Sequence, residues 1–155
     1  MKTFPLIRDL VTDVSLNYEA NKRIQPFSPR EPGPFRIKQE DVDRVQEFRK
    51  CIECFLCQDV CHVLREHGRF DAYFGPRYMV RMAALEMHPM DGADRREQLH
   101  GDAGVQYCNI TKCCEELCPE HIHITDNAII PLKERVADVR WDPLRWAIRR
   151  VSGKS

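Results

Sequence analysis

The sequence predicts a mainly α-helical domain built around two cysteine-rich loops. Apolar residues recur at helical spacing in three segments, and no segment of useful length shows the alternation typical of a half-buried strand. All eight cysteines lie in two short runs, residues 51–61 and 108–118. Half of the ten prolines lie in residues 1–40, which predicts a linker or docking segment ahead of a helical domain at 41–140.

Three helices are expected in the helical domain. Asp41 is a candidate N-cap for the first. The second begins after Gly75 with Pro76 in its first turn. The third begins at Thr125 or Asp126. The first two helices carry apolar residues at helical spacing, namely Val42, Val45 and Phe48 in one and Val80, Ala83, Ala84 and Met87 in the other.

Three further local expectations concern the chain around these helices. Pro131 should kink or restart the third helix. The apolar residues between Phe4 and Val11 either pack against a neighbouring protein or cover this domain's own core. The basic aromatic tail at 141–155 either lies at a membrane interface or membrane-anchor subunit, or packs on its own domain.

Composition excludes several classes of function. Lysine plus arginine equals aspartate plus glutamate at 24 each, so no net charge favours nucleic acid. Neither a signal peptide nor a bilayer-spanning apolar segment is found, and a reducing compartment is therefore expected. Clustered cysteines in such a compartment more often hold metal than form disulfides.

The first cysteine run has the spacing of a ferredoxin-type cluster loop. It reads C-x2-C-x2-C-x3-C, where the fourth cysteine belongs to the other cluster in two-cluster ferredoxins. A zinc site, the structural alternative, favours two separated cysteine pairs. The run comprises Cys51, Cys54, Cys57 and Cys61.

The second run matches the same template except at one position. Cys108, Cys114, Cys118 and Pro119 fit, whereas the second ligand position holds Thr111. A threonine hydroxyl is a poor iron ligand beside thiolate, so one corner of this second cluster is expected to lack iron.

Exchange of the last cysteine between the runs defines two sites. Four thiolates predict a 4Fe–4S cluster on Cys51, Cys54, Cys57 and Cys118. Three thiolates predict a 3Fe–4S cluster on Cys61, Cys108 and Cys114. Cys113 lies two residues off the template and is interpreted as a free thiol, although a bent loop would let it bind a fourth iron. The exchange implies a pseudo-two-fold dicluster core.

The paired runs, separated by a long helical insert, resemble those of the iron–sulfur subunit of succinate dehydrogenase and fumarate reductase. The segment from Phe4 to Asp13, Gly75-Pro-Arg77 and residues 127–137 are similar as well. The resemblance implies an α-helical ferredoxin-like domain with the same two clusters. It also implies an electron path from an FAD-containing flavoprotein subunit to quinone at membrane-anchor subunits, on the cytoplasmic face of the membrane.

Two departures from this family follow from the same comparison of motifs. In this family the N-terminal half of the subunit is a domain that holds a 2Fe–2S cluster, and this sequence has no counterpart of it. That domain is therefore expected on a partner or on a missing part of the chain. Near the second cluster, His62, Asn109 and Thr111 are candidate quinone-proximal residues. No catalytic residue is expected on this chain.

The alternative function is a soluble dicluster ferredoxin or heterodisulfide-reductase-like carrier, in which both runs are more often complete.

Overall fold

The computed structural model describes residues 3–143, and within this range most regular structure is helical, as predicted. A π-helical turn at Ile124–Ile129 and a 3-10 turn at Val105–Tyr107 accompany eight α-helices in the described range. The elements in chain order are β1 Leu6–Arg8, β2 Val11–Thr12, α1 Ser15–Arg23, α2 Gln39–Arg49, α3 Leu56–Asp59, α4 His62–Arg65, α5 Pro76–Glu86, α6 Arg96–His100, α7 Cys113–Glu116 and α8 Ile130–Trp141.

The central helix α5 confirms the prediction for the second helix. Gly75 lies at its N-cap and Pro76 in its first turn. Met79, Met82 and Ala83 are completely buried, because α5 packs against α2 on one side and the π-helical turn on the other. This helix therefore forms the middle of the core, and both cysteine loops lie beside it.

The starts of the other two helices differ from the predictions. The first helix begins at Gln39, and the extended residue Lys38, rather than Asp41, precedes it. The third helical segment begins at Ile124 instead of at Thr125 or Asp126. There the Glu115 carboxylate accepts the backbone N–H of Thr125 at 2.8 Å. A side chain from α7 thus replaces the local cap that the sequence pattern indicated.

Pro131 restarts the last helix, as predicted. The π-helical turn ends at Ile129, and α8 begins at Ile130 with proline in its first turn. Proline has no N–H to donate to a preceding carbonyl, so it is tolerated only where such a bond is not required. The basic aromatic tail predicted at 141–155 lies largely outside the described residues.

The N-terminal segment contains regular structure that the sequence did not indicate. Strands β1 and β2 form an antiparallel hairpin, with Leu6 opposite Thr12, beside the mainly helical fold that the sequence predicts. The strands are too short to display an alternation. Of the apolar residues there, Phe4 is buried against this domain, whereas the others are exposed, namely Leu6, Ile7, Leu10 and Val11. Phe4 therefore covers this domain's own core, whereas the exposed apolar residues remain available to pack against a neighbouring protein.

The chain that follows α1, at residues 25–26, is fixed to the helical domain by buried polar groups. The completely buried Arg95 donates to the carbonyl oxygens of Gln25 and Pro26 and pairs with Asp91 at 2.8 Å. Because a buried charge is tolerated only when it is paired, this arginine ties residues 25–26 firmly to α6. Among the described residues, no helix is both long and apolar enough to span a membrane.

We expect Gly75→Ala to destabilise the fold by about 2–4 kcal/mol. Gly75 has a φ of +94°, and a Cβ there would lie 2.1 Å from Oε1 of Gln58. The Gln58 side chain cannot move aside, because its Nε2 donates to the Phe74 carbonyl and its Oε1 accepts from the Arg77 N–H. Denaturant unfolding of the full chain measures the effect.

Gly68→Ala is the matched control for this prediction. Gly68 also has a positive φ of +57°, but a Cβ there would have no heavy atom within 4 Å. Its substitution carries only the backbone penalty, about 1 kcal/mol. Equal losses for the two variants would show that contact with Gln58 contributes nothing.

Candidate iron–sulfur site

The first cysteine loop is held in an unusual backbone conformation. Glu53 and Phe55 both lie in the left-handed region, with φ of +57° and +60°. Bulky residues adopt this conformation only when their surroundings enforce it. The two reversals turn the chain around Cys54, and α3 then carries Cys57 inward.

The second loop repeats this conformation at the equivalent positions. Ile110 and Lys112 have φ of +60° and +61°, and α7 follows directly. The backbone hydrogen bonds match as well: the Asp59 N–H donates to the Phe55 carbonyl at 3.0 Å, and that of Glu116 donates to Lys112 at 3.1 Å. Thr111 therefore occupies in the second loop the place that Cys54 occupies in the first.

The seven predicted ligand cysteines separate into two groups around two neighbouring cavities. Cys118 is four residues from Cys114 in sequence, but it lines the first cavity. Cys61 comes from the first run, but it lines the second. The first cavity is lined by Cys51, Cys54, Cys57, Cys118, Arg77, Val80, Pro119 and Ile122, among others. The second is lined by Cys61, Cys108, Cys114, Thr111, Cys113, Tyr73, His62, Asn109 and Thr125, among others.

Three of the thiols, those of Cys57, Cys61 and Cys114, are buried where ionisation is disfavoured. Burial, reinforced by the charges of neighbouring cysteines, raises the pKa of Cys57 and raises that of Cys114 to about 12. Burial likewise raises the pKa of Cys61. Converging thiolates in an apolar site require cations among them, because otherwise desolvation and mutual repulsion keep them protonated. This donor set fits iron–sulfur clusters.

Among residues 3–143, no group of three His, Cys, Asp or Glu side chains is arranged to hold one metal ion. The cysteines line two cavities, and in iron–sulfur proteins a cluster is held by cysteines placed around it.

A buried donor at the first cavity has no partner, and a buried hydroxyl lies at the second. The Arg77 Nε has no hydrogen-bond partner among the described residues, although its side chain is buried. The buried Tyr73 hydroxyl lies beside the Cys108 thiol. Buried polar groups are normally satisfied, so a sulfur of a bound cluster is a fitting acceptor for the Arg77 Nε. Sequence spacing gave no sign of Tyr73. Arg77 is buried, whereas Arg81, one turn further along α5, is exposed.

The three candidate quinone-proximal residues all line the second cavity. His62, Asn109 and Thr111 are exposed, so this cavity lies close to the protein surface. Cys113 lines it too, and its Sγ lies 3.5 Å from the Thr111 Oγ1. The thiol that was interpreted as free therefore lies beside Thr111, the residue at the position where the template has a cysteine.

Residues 47–122, which contain both cysteine runs, match the 4Fe-4S dicluster domain family. The succinate dehydrogenase iron–sulfur subunit of Bacillus subtilis is 29% identical over 134 residues, which are 81% of this chain and 51% of that protein. The fumarate reductase iron–sulfur subunit of Mycobacterium tuberculosis is 28% identical over 130 residues, 79% of this chain and 51% of that protein.

A third relative is longer still. It is one of the subunits of the fumarate reductase (CoM/CoB) of Methanothermobacter marburgensis, and it is 31% identical over 130 residues, 83% of this chain and 26% of that protein. The present chain therefore spans about half the length of the first two relatives and about a quarter of the third.

A solved structure is also similar to this chain. The Mycobacterium smegmatis Sdh1 complex in the apo form contains a chain with a TM-score of 0.87 and 60% identity, over 92% of this chain and 61% of that one. The chain is thus similar to the iron–sulfur subunits of succinate dehydrogenase and fumarate reductase, and the resemblance in the motifs is confirmed.

Proposed function

We propose that this chain is an electron-transfer iron–sulfur component of a succinate:quinone oxidoreductase or fumarate reductase. The observation that carries the proposal is the pair of adjacent cysteine-lined cavities formed by exchange of Cys61 and Cys118 between the two runs. Two adjacent redox centres form a path for electrons, which a structural staple would not need. The named relatives support the same role.

In this proposal Cys51, Cys54, Cys57 and Cys118 hold a 4Fe–4S cluster, and Cys61, Cys108 and Cys114 hold a 3Fe–4S cluster. Each cluster supplies one-electron transfer. The repeated loop dihedral angles support a pseudo-two-fold relation between the runs. Val80, Ile122 and Ile124 form apolar parts of the wall of the first cavity, and Ile129 lies in the wall of the second.

In this proposal the chain's residues hold the two clusters, which would carry the electrons, and perform no substrate chemistry. Oxidation of succinate to fumarate releases two electrons and two protons, which the flavin of a flavoprotein subunit would accept. The electrons would then pass singly through a 2Fe–2S domain and through the clusters of this chain, and a quinone would accept two electrons and two protons. Fumarate reduction uses the reverse direction.

The remaining proposals concern partners. The exposed apolar hairpin residues Leu6, Ile7, Leu10 and Val11 are suited to contact another subunit or domain of this assembly. A membrane-anchor subunit would cover the surface beside the second cavity, where His62, Asn109 and Thr111 would contact quinone. The chain would then be peripheral on the cytoplasmic face of the membrane.

Electron paramagnetic resonance of the anaerobically purified protein tests the function. We expect a signal in the oxidised sample, because an oxidised 3Fe–4S cluster is paramagnetic whereas an oxidised 4Fe–4S cluster is not. Reduction with dithionite should then produce the signal of the second centre. A protein without iron or sulfide would contradict the proposal.

The alternative function is a dicluster carrier with two complete cubanes, and the position of Cys113 in the second cavity favours it. The similarity to a fumarate reductase that is named for CoM and CoB rather than for a quinone is compatible with such a carrier. A silent oxidised sample with two interacting signals after reduction would select this alternative. Cys113→Ser should then restore a signal in the oxidised sample.

A further inference from the structure

Arg77 is a buried positive charge at the first cluster cavity. Its side chain is only 6% exposed and lines the cavity together with the four cysteines. It lies in the first turn of α5, where its backbone N–H is fixed by Gln58, the residue that follows Cys57. Its Nε has no partner among the described residues. A donor and a full positive charge are therefore held rigidly beside the first group of thiols.

The partner of Arg77 is Glu53, which lies within the ligand loop between Cys51 and Cys54. Nη2 of Arg77 pairs with Oε1 of Glu53. The carboxylate is 57% exposed, so water and salt screen its field, whereas the guanidinium is enclosed by protein. The two charges therefore do not cancel at the cavity, and the field of Arg77 prevails.

We propose that Arg77 raises the reduction potential of the cluster held by Cys51, Cys54, Cys57 and Cys118, and that Glu53 limits this increase. The proposal rests on the proposed function, since it requires a redox-active cluster at that position. Reduction adds one electron from a donor such as dithionite, and no bond of the chain forms or breaks. A nearby positive charge stabilises the more negative, reduced form.

The test is a redox titration of the full-length protein, monitored by the signal of the reduced first cluster. Arg77→Gln should shift the one-electron reduction equilibrium about tenfold toward the oxidised form, a decrease of about 59 mV in potential. Glu53→Gln should shift the potential in the opposite direction. Arg77→Lys, which keeps the charge, should remain closer to the wild type than Arg77→Gln.

Arg81→Gln is the matched control, because Arg81 lies one turn further along the same helix but is exposed. Its removal should leave the potential unchanged, because its charge is solvated. The reduction potential of the second cluster serves as an internal reference and should be the same in every variant.

A purely structural role for the pair makes a different prediction. Arg77→Gln and Glu53→Gln break the same ion pair, so a structural role would move both potentials in one direction or reduce cluster loading equally. Either result overturns the inference, as does an unchanged potential in both variants. If Arg77→Gln does not retain the cluster, Glu53→Gln still tests the inference. An increased reduction potential in that variant supports it, and a decreased or unchanged potential overturns it.

Failure of the inference can be distinguished from failure of the proposed function. Two clusters without the predicted shifts would refute only the role of Arg77 and Glu53. A wild-type protein that holds no cluster on the first group of cysteines would refute both.

Discussion

A Cys118→Ser variant is expected to lose the signal of the reduced 4Fe–4S cluster while it retains the signal of the oxidised 3Fe–4S cluster. Cys118 belongs to the second run in sequence, but its side chain lines the first cavity with Cys51, Cys54 and Cys57. A serine oxygen binds iron more weakly than a thiolate, so the first site loses one of four ligands. Iron analysis should show a loss of roughly half of the iron.

Cys61→Ser is the reciprocal experiment, since Cys61 lines the second cavity with Cys108 and Cys114. It should remove the signal of the oxidised sample and leave the 4Fe–4S cluster intact. If each run instead held its own cluster, the two variants would give the opposite results. Thermal unfolding of both proteins checks that the fold persists, because the core around α5 contains neither cysteine in its centre.

A Thr111→Cys variant is expected to abolish the signal of the oxidised protein by completing the second cubane. The residues on either side of Thr111 have the same left-handed conformation as those on either side of Cys54. A thiolate at this position would therefore meet the second cluster as Cys54 meets the first. The added iron can be measured directly, and the reduced protein should then show two interacting 4Fe–4S signals.

Two further variants complete the Thr111 experiment. Thr111→Ser keeps a hydroxyl and should retain the wild-type signal. Thr111→Cys combined with Cys113→Ser separates the two neighbouring thiols, which would otherwise compete for the same iron. Persistence of the oxidised signal in both cysteine variants, with no gain of iron, would show that residue 111 does not face the missing corner.

The sequence by itself determined the parts of this protein that depend on spacing along the chain. The first run has two-residue gaps between cysteines, the second keeps this spacing with Thr111 in place of one cysteine, and both loops have the same backbone turn. Gly75 with Pro76 predicted the start of α5, and Pro131 predicted the restart of α8, because these residues restrict their own backbone directly. The paired cysteine motifs also carry the resemblance to the succinate dehydrogenase and fumarate reductase iron–sulfur subunits, to which the chain is similar.

Only the tertiary structure decided which side chains enter the two cavities. Arg77 and Arg81 are equivalent on a helical pattern, yet one is buried beside cysteines and the other is solvated. Tyr73 reaches the second cavity, and Glu115 replaces the cap expected at Thr125 or Asp126. Whether a side chain is buried, lacks a hydrogen-bond partner or places charge at a site depends on residues that are distant in sequence. Local sequence patterns therefore do not predict these properties.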